Sequence, residues 1–262
     1  MQGQKGMDGA LLSARNVTKR FGGMAAVDGI SFDLVPGEIL GLIGPNGAGK
    51  TTLFDCLAGS LAPTSGTIVL EGHDIGSLPA HRRSAFGLAR TFQIPRPFPE
   101  MSVLENVTLG ARDHPGEHIV PNWLSPFAVS RREGVVRERA MELLGFVALD
   151  ALAARPAHIL SGGQKKLLEL ARALMAQPRM VLLDEPAAGV NPTLLEVIVE
   201  RIAALNRSGM TFLLIEHNMD LVTRLCGRVL VMASGRLLAE GAPNVVARDP
   251  RVIEAYLGSF AA

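Results

Sequence analysis

Unbroken apolar runs and amphipathic stretches divide this chain into short elements. Ile39 to Ile43, Met180 to Leu183 and Thr211 to Ile215 are apolar without alternation. Such runs predict strands buried on both faces, as in a parallel sheet covered by helices. Ala26 to Leu34 instead alternates with period two and is closed by Pro36-Gly37. Leu11 to Lys19 alternates enough to predict an edge strand. Phe21-Gly22-Gly23 between them is too short for a crossover helix, so the two strands pair antiparallel. Pro63 to Gly66 turns the chain into a strand over Thr67 to Leu70, and Leu88 to Phe92 predicts another that ends at Gln93. Arg228 to Met232 and Leu237 to Glu240 read as two more. Helix is predicted through Leu53 to Ala58, from an N-cap at Ser161 to about Ala176, from Thr193 to Asn206, and over Val245 to Leu257.

The pattern changes between Ile94 and about Ile159. Pro95, Pro97 and Pro99 bar regular helix. Ser102-Val103-Leu104-Glu105 is a capping box that opens a helix to about Gly110. Asp113 to Pro126 carries three prolines, two histidines and the only tryptophan, which predicts a long loop suited to binding. Ser130 to Gly145 reads as a helix, with Val135, Val136, Met141, Leu143 and Leu144 on its apolar side and its arginines on a solvated face. The predicted fold class is α/β: a parallel-sheet core, an N-terminal antiparallel β subdomain and an inserted helical subdomain. All of 1–262 is expected to form one domain, with core segments 10–93 and 165–262 and the helical subdomain at 94–164.

Composition narrows the function. The chain has 26 basic and 25 acidic residues and a net charge of +1, which argues against a general nucleic-acid binder or a polybasic membrane-surface protein. Mean hydropathy is +0.25, which buried parallel strands explain in part. No apolar run approaches the ~18 residues of a membrane span. Met1 to Gly9 is polar and glycine-rich, and reads as a frayed tail or a non-native remnant rather than a secretory signal. Cys56 and Cys226 lack C-x-x-C partners and read as small apolar groups in a reducing compartment.

Candidate chemistry enters at Gly44-Pro45-Asn46-Gly47-Ala48-Gly49-Lys50-Thr51-Thr52, which fits the P-loop pattern G-x-x-x-x-G-K-[ST]. It lies between a buried strand and a helix, the context that pattern requires. The glycines let the backbone curl with its N–H groups turned toward phosphate oxygens, and the helix N-terminus adds partial positive charge. Lys50 suits the β- and γ-phosphates, the Thr51 hydroxyl suits magnesium, and Thr52 suits the α-phosphate side. ATP and Mg2+ are the expected cofactors. A P-loop alone does not choose among ATPases, GTPases and kinases. Asp184 closes the Met180 strand at its carboxyl end, where it suits magnesium, and Glu185 suits a base or water-orienting group. The pair would also suit a cap for the following helix. Leu160-Ser161-Gly162-Gly163-Gln164 offers a second anion site at a helix start, with Lys165 and Lys166 beside it.

In chain order, Phe21, the P-loop, Gln93, Leu160 to Gln164, Asp184-Glu185 and His217 resemble the motif set of ABC ATPases over nearly the whole chain. The resemblance implies the ABC ATPase fold and a role for each motif. Phe21 stacks on adenine. Gln93 contacts magnesium and the attacking water and links the core to the helical subdomain. His217 contacts the γ-phosphate. Ser161, Gly162, Gly163 and Gln164 close on ATP held by the P-loop of a second ATPase subunit, head to tail. Asn191 stands where the family's D-loop carries aspartate, keeping hydrogen bonding without the charge.

Four further stretches resemble the branched-chain amino acid importer ATPases of the LivG type: Arg90-Thr91-Phe92-Gln93, Pro186 to Pro192, Glu216-His217-Asn218-Met219 and Ala255-Tyr256-Leu257-Gly258. That resemblance implies a peripheral subunit on the cytoplasmic face of the membrane. Its partners are two permease subunits, a second identical or homologous ATPase subunit and, indirectly, a periplasmic solute-binding protein. Urea-importer and lipopolysaccharide-export ATPases are close relatives in this respect. Soluble ABC proteins of translation or DNA repair usually carry two ATPase domains or a long coiled coil, whereas this sequence has one P-loop and no sustained heptads. Gln93 to Asn106, stiffened by its prolines and exposing Phe98 and Met101, reads as the relay to a permease helix.

Overall fold

A computed structural model describes residues 9–91, 93–112 and 126–258. The first elements are β1 (Leu12–Phe21), β2 (Met24–Leu34), β3 (Ile39–Ile43), α1 (Lys50–Ala58), β4 (Ser65–Leu70), β5 (His73–Asp74), α2 (Ala80–Ala85) and β6 (Leu88–Arg90). Next come α3 (Val103–Thr108), α4 (Pro126–Phe146), 3-10 turns at Asp150–Leu152 and Ala157–Ile159, and α5 (Gly162–Met175). The last are β7 (Met180–Asp184), α6 (Pro192–Arg207), β8 (Thr211–Ile215), α7 (Met219–Leu225), β9 (Arg228–Ala233), β10 (Arg236–Gly241), α8 (Pro243–Val246) and α9 (Pro250–Gly258). The described residues form two compact units, one from 9–90, 179–185 and 203–258, the other from 91–178 and 186–202.

The first unit holds both sheets. β3, β7 and β8 are buried at every position and, with β9, are the inner, parallel strands of a six-stranded sheet of order β10-β9-β3-β8-β7-β6. Only the β9–β10 pair in it is antiparallel. The alternating N-terminal strands form a second, antiparallel sheet, β2-β1-β4-β5. Leu12, Ile30, Leu34 and Ile68 of the small sheet share one core with Leu40, Leu213 and Met232 of the large sheet and Leu53 and Phe54 of α1. Cys56 and Cys226 are buried free thiols, and burial pushes the Cys226 pKa up to about 12.

The second unit packs α3, α4 and α5 on one another. Val103, Val107, Leu143, Leu144, Leu167 and Leu168 are buried there. The capping box of α3 forms as the sequence predicts: Glu105 donates its N–H to Ser102 Oγ at 3.1 Å, and Ser102 donates its N–H to Glu105 Oε2 at 2.7 Å. After α3, a Cβ on Gly110 would stand 2.3 Å from the Arg172 carbonyl, so only glycine permits that approach.

Several expectations are corrected. β1 is not an edge strand: β4 pairs along its other side from Leu12–Leu70 to Thr18–Ser65. Local alternation reports a half-buried face, not the number of neighbouring strands. β6 stops at Arg90, and β5 and α2 escaped notice because each is too short to show a period. α4 begins at Pro126 rather than Ser130, since proline suits a first helical turn. Its buried side includes Ala140, Leu143 and Leu144, while Val135 and Met141 are exposed. The C-terminal helical segment is broken into α8 and α9, the second opening on Pro250. Apart from Gly9 and Pro126, the expected tail at Met1 to Gly9 and loop at Asp113 to Pro126 lie outside the described residues, as does Phe92.

Candidate nucleotide site

The chain leaves β3 at Ile43 and curls through Gly44–Gly49 into α1. Gly44, Gly47 and Gly49 have φ of 149°, 77° and 96°. A Cβ would stand 2.1 Å from the Met232 carbonyl oxygen at Gly44 and 2.2 Å from that of Ala26 at Gly49. Conformation and space therefore both demand glycine at these two positions. No side chain caps α1, which leaves its first N–H groups for a ligand. Lys50 is buried and donates from Nζ to the carbonyls of Gly44 (2.8 Å) and Pro45 (2.9 Å). Burial pushes its pKa down, and Glu185 opposes that. The loop thus already holds a cation on its inner side. Thr51 and Thr52 follow in the first turn of α1, with Thr51 exposed.

The neighbouring strand ends supply the carboxylates. Asp184, 5% exposed, closes β7 opposite Ile215 of β8. Burial pushes its pKa up, and Arg90 pulls it back. Glu185 follows with φ of 46°, a left-handed conformation that costs a non-glycine residue ~1–3 kcal/mol. Two contacts hold it there: its N–H donates to the Ile215 carbonyl at 3.0 Å, and its Oε1 lies 3.0 Å from His217 Nε2. The buried Glu216 in turn fixes His217, accepting the N–H groups of His217 (3.0 Å) and Asn218 (3.2 Å) on Oε2. Lys50, Asp184, Glu185 and His217 thus all belong to the first unit and cluster beyond the carboxyl ends of adjacent parallel strands, where ligands bind in open α/β sheets.

The donor set suits magnesium: a buried carboxylate on Asp184 and the Thr51 hydroxyl, both hard oxygen ligands. Among the described residues no group of three or more His, Cys, Asp or Glu side chains is arranged to hold a metal ion by itself. Magnesium typically uses one or two carboxylates and completes its shell with water and substrate phosphates. Phe21, at the end of β1, is 48% exposed, with the Lys19 ammonium 5.3 Å from its ring centroid, so it is not a core phenylalanine.

The remaining motif residues belong to the second unit. Gln93 is exposed. Ser161 caps α5 in a second capping box: Gln164 donates its N–H to Ser161 Oγ at 3.3 Å, and Ser161 donates its N–H to Gln164 Oε1 at 2.9 Å. The Gln164 side-chain oxygen is thereby engaged, while the Ser161 hydroxyl proton faces no such demand from the cap. Gly162 is exposed, and a Cβ on Gly163 would stand 2.4 Å from the Leu194 side chain. Asn191 accepts the Leu194 N–H at 2.9 Å, which gives the D-loop position a helix-capping role.

A family model described as ABC transporter matches residues 27–188, from β2 past Glu185. The chain belongs to the ABC transporter family. As a member it is an ATPase, and its fold is that of solved cassettes. The ADP conformation of an ATP-binding cassette of an ABC transporter superposes with a TM-score of 0.82 at 39% identity, covering 95% of this chain and 99% of that one. Among curated relatives, the high-affinity branched-chain amino acid transport ATP-binding protein LivG of Escherichia coli K12 is 41% identical, covering 96% of this chain and 99% of its own. The probable LivG of Archaeoglobus fulgidus is 39% identical, covering 95% and 96%. A second model, described as Branched-chain amino acid ATP-binding cassette transporter, matches residues 236–262.

The contacts of three residues, each within a stretch singled out in the sequence, were not legible there. Arg90 contacts both Asp55 and Asp184. Tyr256 on α9 hydrogen-bonds to the backbone of Gly44, so the C-terminal helix touches the P-loop. Fully buried Asn106 accepts the Phe98 N–H (2.8 Å) and donates to the carbonyls of Phe98 and Ser102 (3.0 Å each). It holds Phe98 at the surface, 50% exposed, with the Arg172 guanidinium 5.7 Å from the ring centroid. The prolines were a visible cue to stiffness in this segment; the buried asparagine was not.

Proposed function

We propose that the chain is the ATP-hydrolysing subunit of an importer for branched-chain or related amino acids. The observation that carries the substrate class is the match of residues 236–262 to a branched-chain cassette model. Nothing favours urea import or lipopolysaccharide export over it. All of 1–262 works as one ATPase domain with a sheet core and a helical subdomain.

In this account Phe21 stacks on the adenine, and the N–H groups of Gly44 to Thr52 surround the phosphates. Lys50 exchanges its two carbonyl partners for β- and γ-phosphate oxygens. Magnesium, when bound, neutralises charge developing on the phosphates. Thr51, Asp184 and Gln93 would hold it. Glu185 accepts a proton from water as that water's oxygen bonds to the γ-phosphorus and the bond to the β–γ bridging oxygen breaks. His217 keeps the Glu185 carboxylate in place and reaches the γ-phosphate. Gln93 orients the water. Ser161, Gly162, Gly163 and Gln164 serve the ATP of a second ATPase copy, head to tail. The described residues include no helix long and apolar enough to cross a membrane. Two permease subunits supply the path, with the cassette peripheral on the cytoplasmic face and a solute-binding protein acting through the permeases. Phe98, held outward by Asn106, receives a permease helix.

The test is reconstitution of the cassette with its permeases and solute-binding protein in lipid vesicles. Leucine, isoleucine or valine should stimulate ATP hydrolysis and enter the vesicles. Stimulation by urea alone, or by none of these solutes, would contradict the substrate class.

A further inference from the structure

Arg90 stands on β6, in the strand paired with that of Asp184. Its Nη1 lies 2.5 Å from Asp55 Oδ1 and 3.2 Å from Ser60 Oγ, and its Nη2 lies 3.3 Å from Asp184 Oδ2. The guanidinium also covers the Phe54 ring, 5.1 Å from its centroid. Phe54 and Asp55 both belong to α1, the helix that carries Lys50 and Thr51. Arg90 therefore joins the P-loop helix to the carboxylate strand.

The uneven distances are informative. Asp184 is the more buried of the two acids, so a cation present only to neutralise it should sit closest to it. Instead the short contact is to Asp55, near the carboxyl end of α1, where the helix dipole disfavours negative charge. Asp55 thus draws the guanidinium toward itself and leaves Asp184 a longer, weaker contact.

We propose that Arg90 is a positioning residue that competes with magnesium for the Asp184 carboxylate, and that Asp55 sets the strength of that competition by holding the guanidinium back. This rests on the reading of Asp184 as the magnesium partner. A guanidinium and a divalent cation drawn to one buried carboxylate repel each other. Removing the Arg90 charge leaves Asp55, Asp184 and Glu185 to attract the metal together. Removing the Asp55 charge lets the guanidinium close on Asp184. The two changes therefore push the magnesium requirement in opposite directions, which a purely structural tie would not do.

The experiment uses the full chain stripped with EDTA, a fluorescent ADP analogue, and a titration with magnesium chloride that needs no turnover. Arg90→Met should lower the half-saturating magnesium concentration roughly tenfold, the scale of one neighbouring charge on a carboxylate's cation affinity. Arg90→Lys should stay nearer the parent. Asp55→Asn should raise the concentration about threefold or more. Asp184→Asn should abolish most of the magnesium response. Arg90→Met and Asp55→Asn shifting the same way, or neither shifting while Asp184→Asn does, would overturn the inference alone. An unchanged response in Asp184→Asn would overturn the reading of Asp184 itself. If Arg90→Met does not fold, Asp55→Asn still decides, because an unchanged or lowered requirement there contradicts the competition.

Discussion

Replacing Arg83 with methionine should destabilise the cassette heavily, although Arg83 lies outside every nucleotide motif. The side chain is 1% exposed. Its guanidinium donates to the carbonyls of Cys56 (2.6 Å), Leu57 (2.7 Å), Gly76 (2.9 Å) and Leu78 (2.7 Å). Cys56 and Leu57 lie in the last turn of α1, whose carbonyls have no partner within the helix. Four hydrogen bonds to a charged group are worth roughly 1.5–3 kcal/mol each, or about 6–12 kcal/mol in all. Burying a guanidinium costs several kcal/mol, and that same burial pushes its pKa down. Methionine fills part of the space but leaves buried carbonyls unpaired, so the net loss should be about 3–4 kcal/mol. At about 2–4 °C per kcal/mol for a chain this large, the melting temperature should fall by roughly 6–16 °C. Lysine should rescue little, because one ammonium cannot reproduce the fork. The assay is urea unfolding at constant m-value beside a thermal melt, each with and without ADP. A loss under about 1 kcal/mol would show that the carbonyls are satisfied without Arg83, and would refute the reasoning.

Phe21→Ala should weaken nucleotide binding by about 0.5–2 kcal/mol, nearly equally for ATP and GTP, since stacking tolerates either base; unchanged affinity in a fluorescent-nucleotide titration would remove Phe21 from the site. Gly44→Ala forces a Cβ against the Met232 carbonyl at a φ of 149°, so it should cost at least about 2 kcal/mol of stability and at least tenfold in ADP affinity by calorimetry. A variant close to the parent in both would contradict the P-loop geometry. Phe98→Glu should leave the basal ATPase of the isolated subunit intact while complex assembly or solute-stimulated ATPase falls. Full assembly and stimulation, or no crosslink between cysteines placed at Phe98 and in the permease, would remove that surface.

The parts of the fold that were legible rest on local physics. β3, β7 and β8 are buried on both faces and therefore show unbroken apolar runs, and the box at Ser102 and the N-cap at Ser161 are local to their helix starts. The P-loop spacing was equally plain, because contacts at Gly44 and Gly49 leave no room for Cβ and the left-handed φ of Gly47 favours glycine. What escaped depends on distant partners. Asp55 and Arg90 lie 35 residues apart, and nothing in either neighbourhood announces the other. Arg83, in an Arg-rich stretch, looks like surface charge until the carbonyls of α1 are placed around it. The Val135 and Met141 error has the same origin, since periodicity finds an apolar stripe but not which half of it meets α3 and α5.

The proposed function turns on Glu185, at the end of the Asp184 strand and held against His217, taking the proton from the attacking water. Glu185→Gln keeps the side-chain size and a hydrogen-bonding group for His217 but removes the base. Steady-state ATP hydrolysis by the purified variant tests this most directly, with ATP binding and ATP-dependent dimerisation followed on the same sample. Turnover should fall by ~10²–10⁴-fold, with ATP binding intact and an ATP-bound dimer that persists. Turnover near that of the parent chain would contradict it.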